Sequence, residues 1–213
     1  MQQLRYQLKP YLSYAQAITL GKHATVYNQG EVGRGFYYLE EGGVKILFLS
    51  ENGQERIVDY VPVGTLLGEH GVSKSPYLTT AVCTVPSTLY LFSDQALTLM
   101  CNNHPETALF YTNSLIYKMR LLAEVIAIYD SPVEQQMAHY ILKLRDVHQN
   151  GSIPIDQTSL AQYVGTSRIT VNKTLQKWKQ QQVIDFSTRG QIHVTNVDKL
   201  RDILAQGEFT QIL

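Results

Sequence analysis

The sequence predicts an α+β fold in three parts: a β-sandwich or barrel, a long helix, and a helix-turn-helix followed by a hairpin. Three observations support this prediction. Short apolar runs separated by turn residues fill positions 18–92. Near residue 93 the apolar positions change to helical spacing. Two short helical patterns then flank Gly165. A change from period two to period three or four marks a change from strands to helices.

The composition fits an ordinary globular chain. Its 213 residues are 44% hydrophobic and 17% charged, which is typical of globular domains. No apolar run reaches the roughly 18 residues of a membrane helix, and the first residues lack the apolar core of a signal peptide. We therefore expect a cytoplasmic protein with no membrane partner. Cys83 and Cys101 lie 18 residues apart without histidines at zinc spacing, so free thiols are expected.

The first part has the pattern of many short strands. The runs VKILFLS and RIVDYV are rich in β-branched and aromatic residues, and Asn52-Gly53 lies between them. Asn-Gly between two such runs is a strong hairpin signal. Similar runs continue to TTAVCTV and STLYLFS. Short strands at this spacing indicate a sandwich or a barrel. Ser93 is then expected to cap a short helix.

A long helix is predicted over residues 105–129, with apolar residues on two faces. One face has the alternating spacing of three and four that is typical of a coiled-coil seam; it comprises Leu115, Met119, Leu122, Ile126 and Tyr129. The second face comprises Leu109, Ile116, Leu121, Val125 and Ile128. A helix that is apolar on two sides must bury both. A homodimer would do so, and the alternative is a core helix of a monomer.

The long helix should end at Asp130-Ser131-Pro132, which we predict to be a hinge. Ser131 with Glu134 three residues later has the pattern of a capping box, and Pro132 suits a first helical position. The next helix carries apolar residues on one face, at Val133, Met137, Ile141 and Leu144.

The last part predicts a helix-turn-helix. Asp156 is a plausible cap for the helix QTSLAQYV, and Gly165 allows a sharp turn. The second helix, RITVNKTLQKWKQQ, would bury Val171, Leu175 and Trp178. A helix, a turn containing glycine and a basic second helix form the plan of a DNA-binding motif. The segment VIDFSTRGQIHVTN then predicts a hairpin, or wing, with its turn at Arg189-Gly190.

The charge distribution agrees with a nucleic-acid partner. The whole chain is neutral, but residues 1–134 carry a balance of −3 and residues 135–213 a balance of +3. DNA affinity comes largely from cations that face phosphates. Arg168, at the start of the second helix, is the best candidate for reading a guanine, and the alternative is a contact to phosphate only. Lys177 and Lys179 are expected at phosphates or on a solvated face. The predicted DNA contacts are Thr166, Ser167, Arg168, Ile169, Thr170, Lys173 and Arg189.

These motifs, in this order, resemble the cyclic-AMP receptor protein / fumarate-nitrate regulator (CRP/FNR) family. The likeness rests on GKHATVYNQGE, FYYLEEGGVKI, ENGQERIVDYVPVGTLLGEHG and TTAV, and on LAQYVGTSRITVNKTL. It implies a double-stranded β-helix (jelly-roll) sensor barrel over 1–104, a dimerisation helix and hinge over 105–130, and a winged helix-turn-helix over 131–213. It also implies a homodimer that binds pseudo-palindromic double-stranded DNA and acts with RNA polymerase. The direction of regulation stays open.

The resemblance places an effector pocket between barrel and long helix. We call its residues the sensor site, and they are Gly68, Glu69, Thr79, Thr80, Met119 and Arg120. Cyclic-nucleotide binders have an arginine where this chain has Thr79. Each hydrogen bond to a charged group contributes roughly 1.5–3 kcal/mol, so its absence predicts a protein that does not sense cyclic AMP. Arg120 could supply the missing charge to a small aromatic or carboxylate effector, or it could pair with Glu124, its i+4 neighbour.

Other functions fit the sequence less well. A ligand-independent DNA-binding regulator is the main alternative. An iron–sulfur or haem sensor is disfavoured, because the N-terminal cysteine cluster is missing and only His23 and His70 lie in the barrel. A metal-dependent enzyme of the cupin type would need clustered histidines with a carboxylate. We therefore predict no enzyme, no metal and no cofactor. Ile169 stands where many relatives have glutamate, and it favours a thymine methyl, which predicts an A/T-rich operator.

Overall fold

The structure is a computed structural model, and it describes residues 8–51, 53, 55–147, 152–186 and 190–205. The chain forms two units, Met1–Leu122 and Ala123–Leu213. The border between them falls inside the long helix. The domain borders expected after residues 104 and 130 stay predictions.

Two four-stranded antiparallel sheets form the N-terminal unit. The first has the order β1-β8-β3-β6 and the second β2-β7-β4-β5. The strands of the first are β1 (Gln16–Leu20), β3 (Phe36–Glu41), β6 (Leu66–Leu67) and β8 (Ser87–Phe92). Those of the second are β2 (Thr25–Tyr27), β4 (Val44–Leu49), β5 (Glu55–Val61) and β7 (Thr80–Cys83). This is the predicted jelly-roll topology, but the named strands form two separate sheets rather than a closed barrel.

Strand β3 of the first sheet is buried on both of its faces. Alternate residues of a strand point to opposite faces. Tyr37 and Leu39 belong to the core that includes residues of both sheets. Phe36 and Tyr38 belong to a second core, on the other face of the sheet. The continuous apolar run of β3 is therefore the run expected of a strand with two buried faces.

Helical segments cover the outer core. A 3₁₀ helix, Lys9–Tyr14, and α1, Asp94–Asn103, contribute Tyr11, Tyr14 and Met100 to it. Ser93 caps α1 as predicted, because its hydroxyl accepts from the backbone N–H of Ala96 at 3.2 Å. The long helix α2 spans Thr107–Tyr129 and is followed by α3, Val133–Val147.

The two predicted apolar faces of α2, the seam and the second stripe, differ in their exposure to solvent. The seam residues lie at least 39% exposed in the single chain: Leu115, Met119, Leu122, Ile126 and Tyr129. On the second stripe Leu121 and Ile128 are buried at 4% exposure. Leu109 and Ile116, however, are 62% and 43% exposed. The second stripe is therefore buried only over its C-terminal half, which corrects the expectation that all of it would be covered.

The second unit has the predicted helix-turn-helix. After α3 come α4 (Gln157–Val164) and α5 (Arg168–Gln180), and α6 (Val197–Ala205) follows the hairpin. The hairpin strands are β10 (Ile184–Asp185) and β11 (Ile192–Val194), and β11 also pairs with β9 (Ser152–Ile153). The wing therefore belongs to a three-stranded sheet. The third strand was not predicted, and the turn at Arg189 lies outside the described residues. Among the described helices, none has the length and apolar character needed to cross a membrane.

Candidate functional site

The turn between α4 and α5 is built by local hydrogen bonds. Asp156 caps α4 by accepting from the N–H of Ser159 at 2.7 Å. Gly165 takes a left-handed conformation, with φ of +79°, and its N–H donates to Ala161 at 2.8 Å. Ser167 then caps α5 by accepting from the N–H of Thr170 at 3.1 Å. The predicted caps and the glycine turn are confirmed, and together they fix where α5 begins.

Helix α5 has one buried and one exposed face. Val171, Leu175 and Trp178 are at most 1% exposed, as predicted. Ser167, Arg168, Ile169 and Lys173 are exposed, and Ile169 reaches 70%. Because the side chain of Ile169 is so exposed, it contributes little to the hydrophobic packing of the unit. This exposed N-terminal part of α5 is the candidate nucleic-acid interface.

The cations of α5 fall into two groups. Lys177 binds both carboxylate oxygens of Glu134 at 2.9 Å, and Lys179 lies 3.0 Å from Asp185. Both lysines are exposed and form ion pairs, which agrees with the solvated face that the sequence offered as one alternative, and their contact with phosphate stays a prediction. Within the described part of the chain no ion pair is formed by Arg168 or Lys173. They are the cations of α5 that stay available for DNA.

The remaining predicted contacts differ in availability. Thr166 is half-buried. The hydroxyl of Thr170 is also half-buried and lies 2.9 Å from that of Ser167. Arg189 lies outside the described residues.

Glu134 does not form the predicted capping box. The hydroxyl of Ser131 is buried without a hydrogen-bond partner in the described structure. The carboxylate of Glu134 instead accepts from the indole Nε1–H of Trp178 at 2.8 Å. A buried indole N–H needs an acceptor, and this requirement outweighs the local cap. Burial alone would raise the pKa of Glu134, but the hydrogen bonds from Lys177 and Trp178 lower it below its usual value.

In the sensor site the carboxylate of Glu69 is already occupied. Glu69 is 4% exposed, and its Oε1 accepts from the hydroxyl of Ser114 on α2 at 2.5 Å. Its backbone carbonyl accepts from the hydroxyl of Tyr111 at 2.8 Å. Gly68 precedes it with φ of +76°. The Gly-Glu pair thus connects the sheet end to α2, a role that only the tertiary structure reveals.

The two threonines of the sensor site are also paired inside the protein. Thr80 accepts from the N–H of Gln29 at 2.9 Å. The hydroxyl of Thr79 lies 3.4 Å from Nε2 of His70. Nδ1 of His70 accepts from the N–H of Leu78 at 3.1 Å, so the imidazole is neutral with its proton on Nε2. Burial lowers the pKa of His70; the charge of Glu69 raises it and that of Lys118 lowers it further.

Aromatic rings fill the interior beside these groups. Tyr27 and Tyr77 stack with ring centroids 4.1 Å apart, and Tyr37 lies 5.7 Å from Tyr27. All three are at most 1% exposed. The ring of His70 meets Tyr27 and Tyr77 edge-on. A methyl group on Gly71 would overlap the ring of Tyr77, so the rings are packed directly against backbone.

Met119 and Arg120 are placed differently from the rest of the predicted sensor site. Both side chains are exposed on α2. The expected ion pair of Arg120 with Glu124 is corrected, because Glu124 pairs with Lys143 at 3.1 Å. The structure brings Gly68, Glu69, Thr79 and Thr80 together with Ser114, His70 and Tyr27, whereas Met119 and Arg120 face solvent in the single chain.

Several of these residues were missed by the sequence analysis. Tyr27, Tyr77 and Ser114 come from three separate segments, and nothing in their local patterns marks them as a group. His70 was considered only as a barrel histidine that could hold haem, and the structure places its ring edge-on against Tyr27 and Tyr77. Within the described residues, no three His, Cys, Asp or Glu side chains cluster as metal ligands would.

Comparisons with known proteins agree with both units. The cyclic nucleotide-binding domain matches residues 17–104, and the Crp-like helix-turn-helix domain matches residues 135–203. A probable transcriptional regulator, flp, of Lacticaseibacillus casei is 27% identical over 76% of this chain and 75% of its own length. The cAMP-activated global transcriptional regulator CRP of Salmonella typhimurium is 25% identical over 83% and 89%. The structure of FixK2 from Bradyrhizobium japonicum superposes with a TM-score of 0.77 at 17% identity, covering 89% and 96%.

The fold and the exposed start of α5 define a DNA-binding transcription regulator with a sensor domain of the cyclic-nucleotide-binding type. The two matched domains follow each other in the order of the family and together span most of the chain. The chain belongs to the CRP/FNR family of transcription regulators. Its relatives are regulators rather than enzymes.

Arg168 should contribute to sequence discrimination. We expect Arg168→Ala to weaken binding to a selected operator duplex by about 1–3 kcal/mol, the value of a bidentate guanine contact. Binding to a scrambled duplex should change much less. Fluorescence anisotropy with both duplexes measures this, and Arg201→Ala, an exposed arginine on α6, is the matched control. An equal loss on both duplexes would make Arg168 a phosphate contact only.

The neutral state of His70 should make the sensor domain sensitive to acid. Because its pKa in the folded protein is lowered, its contribution to stability is full above the ordinary histidine pKa of about 6.5. That contribution to stability is lost as the pH falls through the pKa that His70 has in the folded protein. We expect the melting temperature of the wild-type protein to fall more steeply than that of His70→Gln between pH 7.5 and pH 5.5. Calorimetric scans of both proteins measure this, and parallel curves would contradict it.

Proposed function

We propose that this protein is a homodimer that binds a two-fold symmetric operator without a cyclic nucleotide, and that its ligand-free state is competent for DNA. The observation that carries this proposal is that polar groups of the sensor site are already paired. Glu69 accepts from Ser114, Thr80 from Gln29, and Thr79 lies beside His70. A ligand would have to replace these hydrogen bonds before gaining any of its own.

The absence of a cation also argues against a cyclic phosphate. Thr79 is a neutral side chain at the position of the phosphate arginine, and the ring of His70 beside it is held neutral by the N–H of Leu78. Charge-assisted bonds to phosphate are roughly twice as strong as neutral ones. The rings of Tyr27 and Tyr77 that stack beside these groups are also uncharged side chains. A cyclic nucleotide would therefore lose the strongest interaction that such a site offers.

Dimerisation is supported by the seam of α2. Its five apolar residues remain exposed in the single chain, with Met119 at 70% and Ile126 at 74%. Contiguous exposed apolar surface of this kind marks an interaction site. Pairing two copies along α2 would bury it and would bring two α5 helices to a two-fold symmetric duplex. The half-sites would then be roughly 34–36 Å apart, one helical turn of DNA.

A small effector other than cyclic AMP is the second candidate. Arg120 favours it, since this exposed cation on α2 has no ion pair among the described residues. An aromatic or carboxylate compound could bind there if the dimer enclosed it. In that case the free protein would bind DNA poorly, and the effector would shift it to a competent state.

Selection of duplexes from a random DNA pool distinguishes these candidates. We expect the ligand-free protein to enrich an A/T-rich palindrome, and added cyclic AMP to leave the enrichment unchanged. Enrichment only with cyclic AMP would overturn the interpretation of Thr79. No enrichment in either condition would favour an unknown effector, and the selection would then be repeated with small aromatic acids.

A charge in the seam should separate the protomers. We expect Met119→Glu to halve the molar mass in sedimentation equilibrium and to abolish operator binding, because two buried carboxylates would face each other across the two-fold axis. Asn113→Glu places the same charge at an exposed position of α2 outside the seam and should stay dimeric. A stable Met119→Glu dimer would contradict the seam.

A further inference from the structure

Glu134 joins two helices of the second unit. It lies in the first turn of α3, directly after the break that follows α2. Its carboxylate accepts from Trp178 Nε1 at 2.8 Å and from Lys177 Nζ at 2.9 Å. Both donors belong to α5, the helix that presents Arg168. One side chain therefore connects the beginning of α3 to the DNA-reading helix.

The break between α2 and α3 is held by a second side chain. Gln136 is 7% exposed, and its Nε2 donates to the carbonyls of Tyr129 at 3.0 Å and Ser131 at 2.8 Å. These are the last carbonyl of α2 and one in the break itself. The end of α2, the start of α3 and α5 are thus linked by hydrogen bonds through Gln136 and Glu134.

The contact at Trp178 is suited to set the rotation of α5. Trp178 is fully buried and shares the inner face of α5 with Val171 and Leu175. Aliphatic contacts are non-directional, whereas the indole N–H must point at its acceptor. A rotation of α5 about its axis would break that hydrogen bond and would also turn Arg168 and Lys173 away from their present direction.

We propose that Glu134 is a positioning residue for DNA recognition, which holds α5 in the orientation that reads the operator. The proposal rests on the DNA-binding function of the family and is independent of whether an effector is needed. Glu134 touches no DNA itself; it acts through Trp178. The role differs from that of a surface ion pair such as the one between Lys179 of α5 and Asp185 of β10, in which both side chains are largely exposed.

Three variants separate orientation from charge. Glu134→Ala removes the acceptor of the indole and releases Lys177. Glu134→Gln also releases Lys177 from its ion pair, but its amide oxygen can still accept from Trp178. Asp185→Asn releases Lys179 and leaves Trp178 untouched. All three remove one negative charge, so a general electrostatic effect on DNA affinity would be the same in all.

The measured quantity is the ratio of affinities for the selected duplex and a scrambled one. We expect Glu134→Ala to lower this ratio about tenfold, comparable to the loss of one base contact. Glu134→Gln and Asp185→Asn should stay within about twofold of the wild type. Equal ratios in all three variants would overturn the proposal. So would an unchanged ratio in Trp178→Phe, which keeps the buried ring and removes the N–H; this variant decides if Glu134→Ala fails to fold.

A measurement that needs no DNA tests the positioning role of Glu134 separately from the proposal that the protein binds DNA without a ligand. Trp178 is the single tryptophan of the chain, so its fluorescence reports on this contact directly. We expect Glu134→Ala to shift the emission and to increase quenching by acrylamide, and Glu134→Gln to resemble the wild type. Identical emission spectra for the wild type, Glu134→Ala and Glu134→Gln would overturn the positioning role, even if no operator had been selected.

Discussion

A buried indole N–H must have an acceptor, and the arrangement of the DNA-binding unit depends on this requirement. Trp178 is completely enclosed, so an unpaired N–H would cost roughly 1–3 kcal/mol. The carboxylate of Glu134 supplies the acceptor and at the same time binds Lys177. The apolar face of α5, with Val171, Leu175 and Trp178 buried, packs the helix through contacts that are themselves non-directional. Under the proposal for Glu134, the directional hydrogen bond of Trp178 sets the rotation of α5, together with the hydrogen bond from Asn172 Nδ2 to Gln157 on α4, and with it the direction of Arg168.

The sensor domain also contains a buried polar group that needs hydrogen-bond partners, the carboxylate of Glu69. Glu69 is buried to a similar degree, and a buried carboxylate needs donors. The hydroxyl of Ser114 donates a hydrogen bond to the carboxylate of Glu69, and the stacked rings of Tyr27 and Tyr77 pack nearby. Thr79 belongs to this internally paired region, since its hydroxyl lies 3.4 Å from Nε2 of His70.

Sequence predicted those features that depend on neighbouring residues. The caps Ser93, Asp156 and Ser167 and the turn at Gly165 are local, since each bonds within four positions. The family motifs predicted both domains. The capping box of Ser131 failed because Trp178, 44 residues away from Glu134, offers that carboxylate a donor that cannot be satisfied otherwise. The stack of Tyr27 on Tyr77 likewise depends on a long-range contact, and fourteen tyrosines give many possible pairs.

Exposed apolar side chains have two different causes in this protein. Ile169 is a single isoleucine at the start of α5, and isolated exposed residues of this kind are ordinary on protein surfaces. Its position beside Arg168, rather than its exposure, makes it a candidate for contact with a base. The seam of α2 is a continuous row, and a row has no such ordinary explanation. In the proposed homodimer the two surfaces would depend on each other: each α5 would read one half-site, and the pairing along the seam would give the second half-site a fixed distance and direction.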